Sequence, residues 1–182
     1  HSLFPSVQMQ LIPYDDNTFL IEYLLQNEVD LLECTFQKKY VQPGICYRLL
    51  QAHVFRCAVS PGHPLAHKDA FSYDDLIGQK LAIGGRPSEA FLAELEAHCG
   101  KPSVSLLSKN NSSDIYNFCY NGGIFISKAS FIDYMEPLAT IPLRTAQPAS
   151  YSALFYRKDC SENVRNFLKI TDSFFPPIVR PE

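Results

Sequence analysis

The chain lacks an excess of basic residues. Its 182 residues include 16 Lys and Arg against 19 Asp and Glu, which gives a net charge of -3 at pH 7. Nucleic-acid backbones are bound through clustered cations. We therefore do not expect this chain by itself to bind DNA or RNA.

Long apolar segments are lacking too. No run approaches the roughly 18 apolar residues of a membrane span, and no basic region followed by an apolar stretch marks the N-terminus as an export signal. The sequence therefore predicts a soluble, cytoplasmic protein with no membrane partner. Hydrophobic residues still make up 46% of the chain, which is enough for one full core or for two smaller lobes.

Motifs for catalysis and metal binding are missing. There is no nucleophile elbow, P-loop, HExxH sequence or dinucleotide fingerprint, and the five histidines have no Ser or Cys partner at a known spacing. His63 precedes a proline in a turn, so we interpret it as structural. We expect neither an enzyme nor a cofactor or metal, and an enzyme such as a small dehydratase or deaminase remains the third-ranked alternative.

Six cysteines occur without a CxxC motif or a Cys/His pair at zinc-ligand spacing. Most of them lie within apolar strand or helix patterns, where a thiol behaves as a small hydrophobic group. We therefore predict reduced thiols rather than disulfides. A redox-sensing pair of cysteines is left open.

An internal duplication is the main positive signal. Residues 5–12 read PSVQMQLI and residues 102–108 read PSVSLLS, and each is followed by a polar break, an apolar helical run and an asparagine, Asn27 or Asn121. Each copy predicts a strand, a loop, a helix, a tight turn and a second strand. Such a unit buries its apolar faces only when it packs as part of a sheet. Asn tolerates the left-handed conformation that such a turn requires.

Two copies predict two Rossmann-like α/β lobes with a ligand-binding cleft between them. We assign residues 1–78 plus 149–182 to lobe I and residues 79–148 to lobe II, with crossover segments near 76–80 and 144–149. The second copy is preceded by its own strand and helix at 81–84 and 88–99, whereas only four residues precede the first copy. The first strand and helix of lobe I are therefore expected to be missing from this chain.

Ligands of open α/β sheets lie beyond the carboxyl ends of strands and beside helix N-termini. That rule selects serines and asparagines, which could instead be ordinary helix-capping residues. It also selects aromatic and aliphatic residues, which could instead belong to the core. Arg86, close to a predicted helix start, suits a carboxylate or phosphate. The predicted effector-binding residues are Thr35, Phe36, Arg86, Ser88, Ser108, Asn110, Asn111, Ser112, Ile124 and Phe125.

Over nearly its whole length the chain resembles the effector-binding domain of LysR-type transcriptional regulators. The matching segments, in order, are Pro5-Ser6-Val7, Val29-Asp30-Leu31, His63-Pro64-Leu65-Ala66, Asp75-Leu76, Gly100-Lys101-Pro102 and Gly123-Ile124. The chain departs from the family in having asparagine rather than glycine at positions 27 and 121, and Lys128 where a proline often ends the strand.

The resemblance implies a fold like that of type 2 periplasmic binding proteins, with a small-molecule effector bound between the lobes. It also implies a winged helix-turn-helix upstream, homodimers or homotetramers, and contact with DNA and RNA polymerase through the full-length protein. The leading hypothesis is thus a regulatory sensor domain for a small, anionic effector. The alternative is a solute-binding protein of a transport system, which has the same architecture but requires export.

Overall fold

The computed structural model describes residues 8–13, 20–85, 87–100, 104–106, 112–146, 148–176 and 178. The chain divides into two compact units. Unit 1 comprises residues 1–51 and 152–182, and unit 2 comprises residues 52–151. Among the helices of the described ranges, none combines the length and the apolar character that a membrane crossing requires.

Unit 1 is built on a three-stranded sheet of order β1-β8-β2. Its strands are β1 (Leu31–Thr35), β2 (Ile45–His53) and β8 (Ser150–Arg157), and its helices are α1 (Leu20–Leu25) and α5 (Glu162–Phe174). Strands β1 and β8 are antiparallel, from Leu31 opposite Tyr156 to Thr35 opposite Ser152. Helix α5 starts at the N-cap Ser161 and buries Val164 and Leu168 against Leu154 of the sheet.

Two arginines tie the helices of unit 1 to its sheet. Arg157 donates to the carbonyl oxygens of Leu24, at the end of α1, and Val29, over 2.8 and 3.2 Å. Arg48 donates to the Leu168 carbonyl of α5 over 3.0 Å and forms an ion pair with Asp172. Arg157 binds a carbonyl at the C-terminal end of α1, where a cation stabilises the helix, and Arg48 joins β2 to α5, so both arginines have a structural role.

Unit 2 contains a five-stranded sheet of order β5-β4-β6-β3-β7. Its elements are β3 (Phe55–Val59), β4 (Lys80–Ile83), α2 (Glu89–Cys99), β5 (Val104–Leu106), α3 (Ser112–Tyr120), β6 (Gly123–Lys128), α4 (Ala129–Ile132) and β7 (Ala139–Pro142). The three strands β4, β5 and β6 are parallel, and β3 is antiparallel to both β6 and β7.

Each face of this second sheet is covered by helices, which gives unit 2 two cores. Leu81, Ile83 and Ile124 pack with Phe91 of α2 on one face. Ala82 and Phe125 pack with residues of α3 and α4 on the other. Strands covered on both faces read as continuous apolar runs rather than as alternating patterns, which explains the fully buried stretch from Gly123 to Ser127.

The structure corrects the boundaries expected for the lobes. The chain passes between units at residues 51–52 and 151–152, rather than near 76–80 and 144–149. Residues 52–78, which we assigned to lobe I, belong to unit 2 because β3 pairs with β6 and β7 in its sheet. Strand pairing at the middle of a sheet therefore sets this boundary, and the turns after β3 do not.

The two repeats differ in their turns and in their first strands. Asn27 has φ +61°, as expected, but in the second copy the left-handed residue is Gly122, with φ +79°, and not Asn121. Within the strand expected in residues 5–12, residues 8–12 are described, and they are irregular and exposed. No ladder pairing of these residues is seen within the described ranges.

Candidate functional site

The carboxyl end of β4 leads directly into the start of α2. Gly84 is buried, Gly85 turns the chain with φ +81°, and Ser88 is the N-cap of the helix. The Ser88 hydroxyl accepts a hydrogen bond from the Phe91 amide over 3.1 Å. Other amides of a first helical turn lack partners within the helix, so they and the helix dipole favour an anion at this end.

Gly84 allows β4 and β6 to approach each other closely at this edge. A β-carbon at Gly84 would lie 2.4 Å from Cζ of Phe125 and 3.1 Å from the Ser127 hydroxyl. That hydroxyl is buried and donates to the Gly84 carbonyl over 3.2 Å. The turn into α2 therefore rests on a fixed, closely packed base, as a binding site requires.

A second set of hydrogen bonds joins α2 to two further segments of unit 2. The Ser88 amide donates to the Ala149 carbonyl over 2.8 Å, and the Ala149 amide donates to the His53 carbonyl over 2.9 Å. Ser150, which follows Ala149, is 1% exposed, and its hydroxyl has no hydrogen-bond partner among the described residues. A buried polar atom without a partner is rare and marks a place where a ligand or water can supply the missing bond.

Two cationic or titratable side chains lie near this part of unit 2. Burial lowers the pKa of His53, and the charge of Lys128 lowers it further. The imidazole is therefore biased towards its neutral form, while Lys128, at the end of β6, brings a positive charge to the carboxyl edge of the sheet. Among the described residues, no group of three or more His, Cys, Asp or Glu side chains could hold a metal ion.

The predicted effector-binding residues of unit 2 occupy different positions in the structure. Ser88 lies in the turn just described, whereas Ser112 is the exposed first residue of α3. Ile124 and Phe125 are 0% exposed and lie in the two cores on opposite faces of β6. The Phe125 ring lies directly against Gly84, so it supports the turn into α2 from inside the unit. The following predicted residues lie outside the described ranges: Arg86, Ser108, Asn110 and Asn111.

Thr35 and Phe36 belong to unit 1. Thr35 ends β1 opposite Ser152. The Phe36 ring is half-buried, with its centroid 4.9 Å from that of Tyr47, and it stacks on Phe155 at 6.1 Å and 12°. Phe36 therefore contributes to an aromatic cluster of this unit while keeping part of its surface accessible.

The sequence did not predict a role at this edge of the sheet for His53, for Ser127, for Ser150 or for the positive charge of Lys128. Ser127 could have been found from its position, because it ends the β6 run at the level of Gly84 in the parallel pair β4/β6. His53 and Ser150 carry no local motif. Only the hydrogen bonds through Ala149 bring them to the start of α2.

Comparison with known families identifies the chain. The family model of the LysR substrate binding domain matches residues 1–174. This chain belongs to that family. It is accordingly an effector-binding regulatory domain of a LysR-type regulator, in a family of transcription factors and not of enzymes.

Solved structures agree with this fold. The oxidized form of OxyR has 18% identity and a TM-score of 0.70, covering 95% of this LysR-family chain and 82% of the other. The regulatory domain of MetR from N. meningitidis has 18% identity and a TM-score of 0.59, covering 100% and 88%. Full-length CbnR complexed with its target DNA has 16% identity and a TM-score of 0.67, covering 84% of this chain and 53% of that one.

The LysR-family chain thus spans about half the length of full-length CbnR. Among curated protein sequences, no significant match is found. The family model also decides between the two leading hypotheses, because it describes regulators of the LysR type and not solute-binding proteins of transport systems.

Proposed function

We propose that this LysR-family domain senses a small anionic effector that binds at the carboxyl edge of the parallel strands of unit 2. The observation that carries the proposal is the turn from β4 into α2. There, buried Gly84, left-handed Gly85 and the N-cap Ser88 present the start of an 11-residue helix. Such a helix start binds carboxylates and phosphates through its amides and its dipole.

Three further features favour an anion over a cation at this edge. Arg86 lies between Gly85 and the helix in the sequence and supplies a guanidinium, which pairs with carboxylate or phosphate through two parallel hydrogen bonds. Lys128 adds a second positive charge at the end of β6. The buried hydroxyl of Ser150 offers a hydrogen-bond donor that no described residue uses. Ser108, Asn110, Asn111 and Ser112, which belong to the same unit, remain candidates for the rest of the effector contact.

The test is a thermal-shift screen of small carboxylates, amino acids and phosphorylated metabolites against the wild-type chain and the Arg86→Ala variant. We expect an anionic compound to raise the melting temperature of the wild type and to lose most of that effect in the variant. Lys80→Ala is the matched control, because Lys80 is exposed at the opposite end of the same strand, β4. Equal stabilisation of wild type and Arg86→Ala would refute the role of Arg86.

Within the longer protein, we propose that effector binding is relayed to a helix-turn-helix segment that binds DNA. CbnR, with which the chain shares its fold, has been solved in complex with its target DNA. We further propose that the full-length protein acts in the cytoplasm as a homodimer or homotetramer that contacts RNA polymerase. A full-length gene without any helix-turn-helix segment would contradict this part of the proposal.

We also propose that a strand and a helix of the longer protein complete the sheet of unit 1. The support comes from the internal duplication and from Met9, Leu11 and Ile12, whose side chains are 66%, 85% and 57% exposed. Apolar side chains of an unpaired extended segment are normally covered by a neighbouring element. In a protein extended at its N-terminus, the amides of residues 8–12 should exchange more slowly than in the 182-residue chain. Unchanged exchange would contradict the pairing.

A further inference from the structure

A polar cleft of unit 2 shares no lining residue with the proposed effector site. Its volume is about 410 Å³, within the range of small-molecule sites. We call it the Arg144 cleft, and it is lined by His67, Lys68, Asp69, Ala70, Ser72, Asp75 and Arg144.

The walls of the Arg144 cleft are fixed by main-chain hydrogen bonds. The Phe71 amide donates to the Pro142 carbonyl over 2.8 Å, and the Arg144 amide donates to the Phe71 carbonyl over 2.9 Å. Phe71 itself is 0% exposed in the core of the unit. The segment that carries Lys68 and the segment that carries Arg144 are thereby held together through main-chain groups, and the Arg144 guanidinium takes no part in these bonds.

The Asp75 carboxylate of the cleft already has hydrogen-bond partners on both of its oxygens. One oxygen of Asp75 accepts from the Lys68 ammonium over 2.5 Å, and the other accepts from the amide and the hydroxyl of Ser72 over 2.9 and 3.1 Å. The hydrogen bond from Lys68, followed by that from the Ser72 amide, lowers the pKa of Asp75. Asp75 therefore stays ionised with its hydrogen-bonding capacity largely taken up, and it has little left to offer a ligand.

The cleft has more side-chain N–H donors than its carboxylate oxygens use. The Arg144 guanidinium and the His67 imidazole have no partner among the described residues. Lys68, which is 43% exposed, has three N–H groups and uses one of them on Asp75. Asp69 is the only lining carboxylate, among the described residues, that these donors have not already engaged.

We propose that the Arg144 cleft binds a small oxyanion, a carboxylate or a phosphate group, through the side chains of Arg144 and Lys68. A guanidinium and an ammonium that line the same cleft can both donate charge-assisted hydrogen bonds to such oxygens. This site is distinct from the effector site at the start of α2, and it would give the regulator a second point of response to an anionic metabolite.

The experiment is a titration of the ¹⁵N-labelled 182-residue chain with inorganic phosphate and, separately, with succinate at constant ionic strength. We expect saturable shifts of the amide resonances of Ala70, Ser72 and Arg144 with at least one probe, and the stronger probe identifies the class of oxyanion. Arg144→Gln should weaken that binding roughly tenfold, as expected for loss of a charge-assisted bidentate contact. Only the main chain of residue 144 is engaged in the fold, so this variant should fold normally.

Two control variants separate this site from others. Lys80→Gln removes an exposed cation elsewhere in unit 2 and should leave the affinity within about twofold, since long-range surface charge contributes little. Arg86→Ala tests the proposed effector site and should also leave the affinity at the Arg144 cleft unchanged. Shifts that do not saturate, equal affinity in Arg144→Gln, or loss of binding in Arg86→Ala alone would each overturn the proposal.

Discussion

Replacement of Gly84 by alanine should destabilise unit 2 by an amount that the structure allows us to anticipate. The added β-carbon would lie 2.4 and 2.9 Å from two atoms of the Phe125 ring, whereas ordinary contacts begin at 3.4 Å. Phe125 is fully buried between Ala58, Ala82 and Ile115 and has no space to withdraw. Overpacking of this kind costs about 1–3 kcal/mol.

The assay is native-state hydrogen exchange of the amides of β4 and β6, because a chain with two compact units need not unfold in one step. Gly84→Ala should lower their opening free energy by about 2 kcal/mol. Gly62→Ala is the matched control, since no heavy atom lies within 4 Å of its β-carbon and its φ lies outside the left-handed region. It should change stability by less than about 0.5 kcal/mol.

A double-mutant cycle identifies the cause. Phe125→Leu removes the ring atoms that the new β-carbon would meet, so Gly84→Ala should cost less in that background than in the wild type. The difference is the coupling between the two positions, which for residues in contact is about 0.5–3 kcal/mol. An equal cost in both backgrounds, or a Gly84→Ala variant as stable as Gly62→Ala, would refute the close approach on which the site geometry depends.

Three other outcomes follow from the structure. Arg157→Met should lower the stability of unit 1 by about 2 kcal/mol in urea unfolding, because it leaves two main-chain acceptors without their charged donor. The pKa of Asp75 is lowered in the folded chain, so its contribution to the free energy of unfolding is present above its unfolded-state pKa and is lost as the pH falls through its folded-state pKa. When the free energy of unfolding is followed into acid, Asp75→Asn should lack this loss. Burial raises the pKa of Cys119 to about 11, so a thiol reagent should modify the partly exposed Cys46 before Cys119.

Local signals in the sequence account for helix starts and for one of the two turns of the repeats. Ser88 and Ser161 cap α2 and α5, and Asn27 adopts the left-handed conformation, because these features depend on one side chain and its nearest neighbours. None of the six cysteines, all within the described ranges, forms a disulfide, which agrees with the apolar patterns in which most of them lie.

Features that depend on distant pairing could not be predicted in this way. The boundary between the units depends on β3 pairing with β6 and β7, which are about 70 to 85 residues away in the chain. Ile124 and Phe125 were expected near a ligand because they lie on a strand of the right sheet. Their burial follows from α2 on one face of β6 and from α3 and α4 on the other, and the apolar pattern of β6 does not show which helix packs on which face.

The candidate site was predicted in part. The rule for the carboxyl ends of parallel strands found Ser88 and the turn at Gly84 and Gly85, because strand order and helix start are visible in the sequence. It did not find Ser150, whose buried hydroxyl has no partner among the described residues and whose neighbour Ala149 bonds through its main chain to residues 53 and 88.

The central claim is that the start of α2 receives the anionic effector. Its most direct test is hydrogen exchange of the wild-type chain with and without the anion that stabilises it most. Binding should slow exchange of the amide hydrogens in the segment from Gly85 to Phe91, apart from Pro87, which has none, and Arg86→Ala should abolish that protection. Protection confined to other parts of the chain, with residues 85–91 unchanged, would contradict the claim.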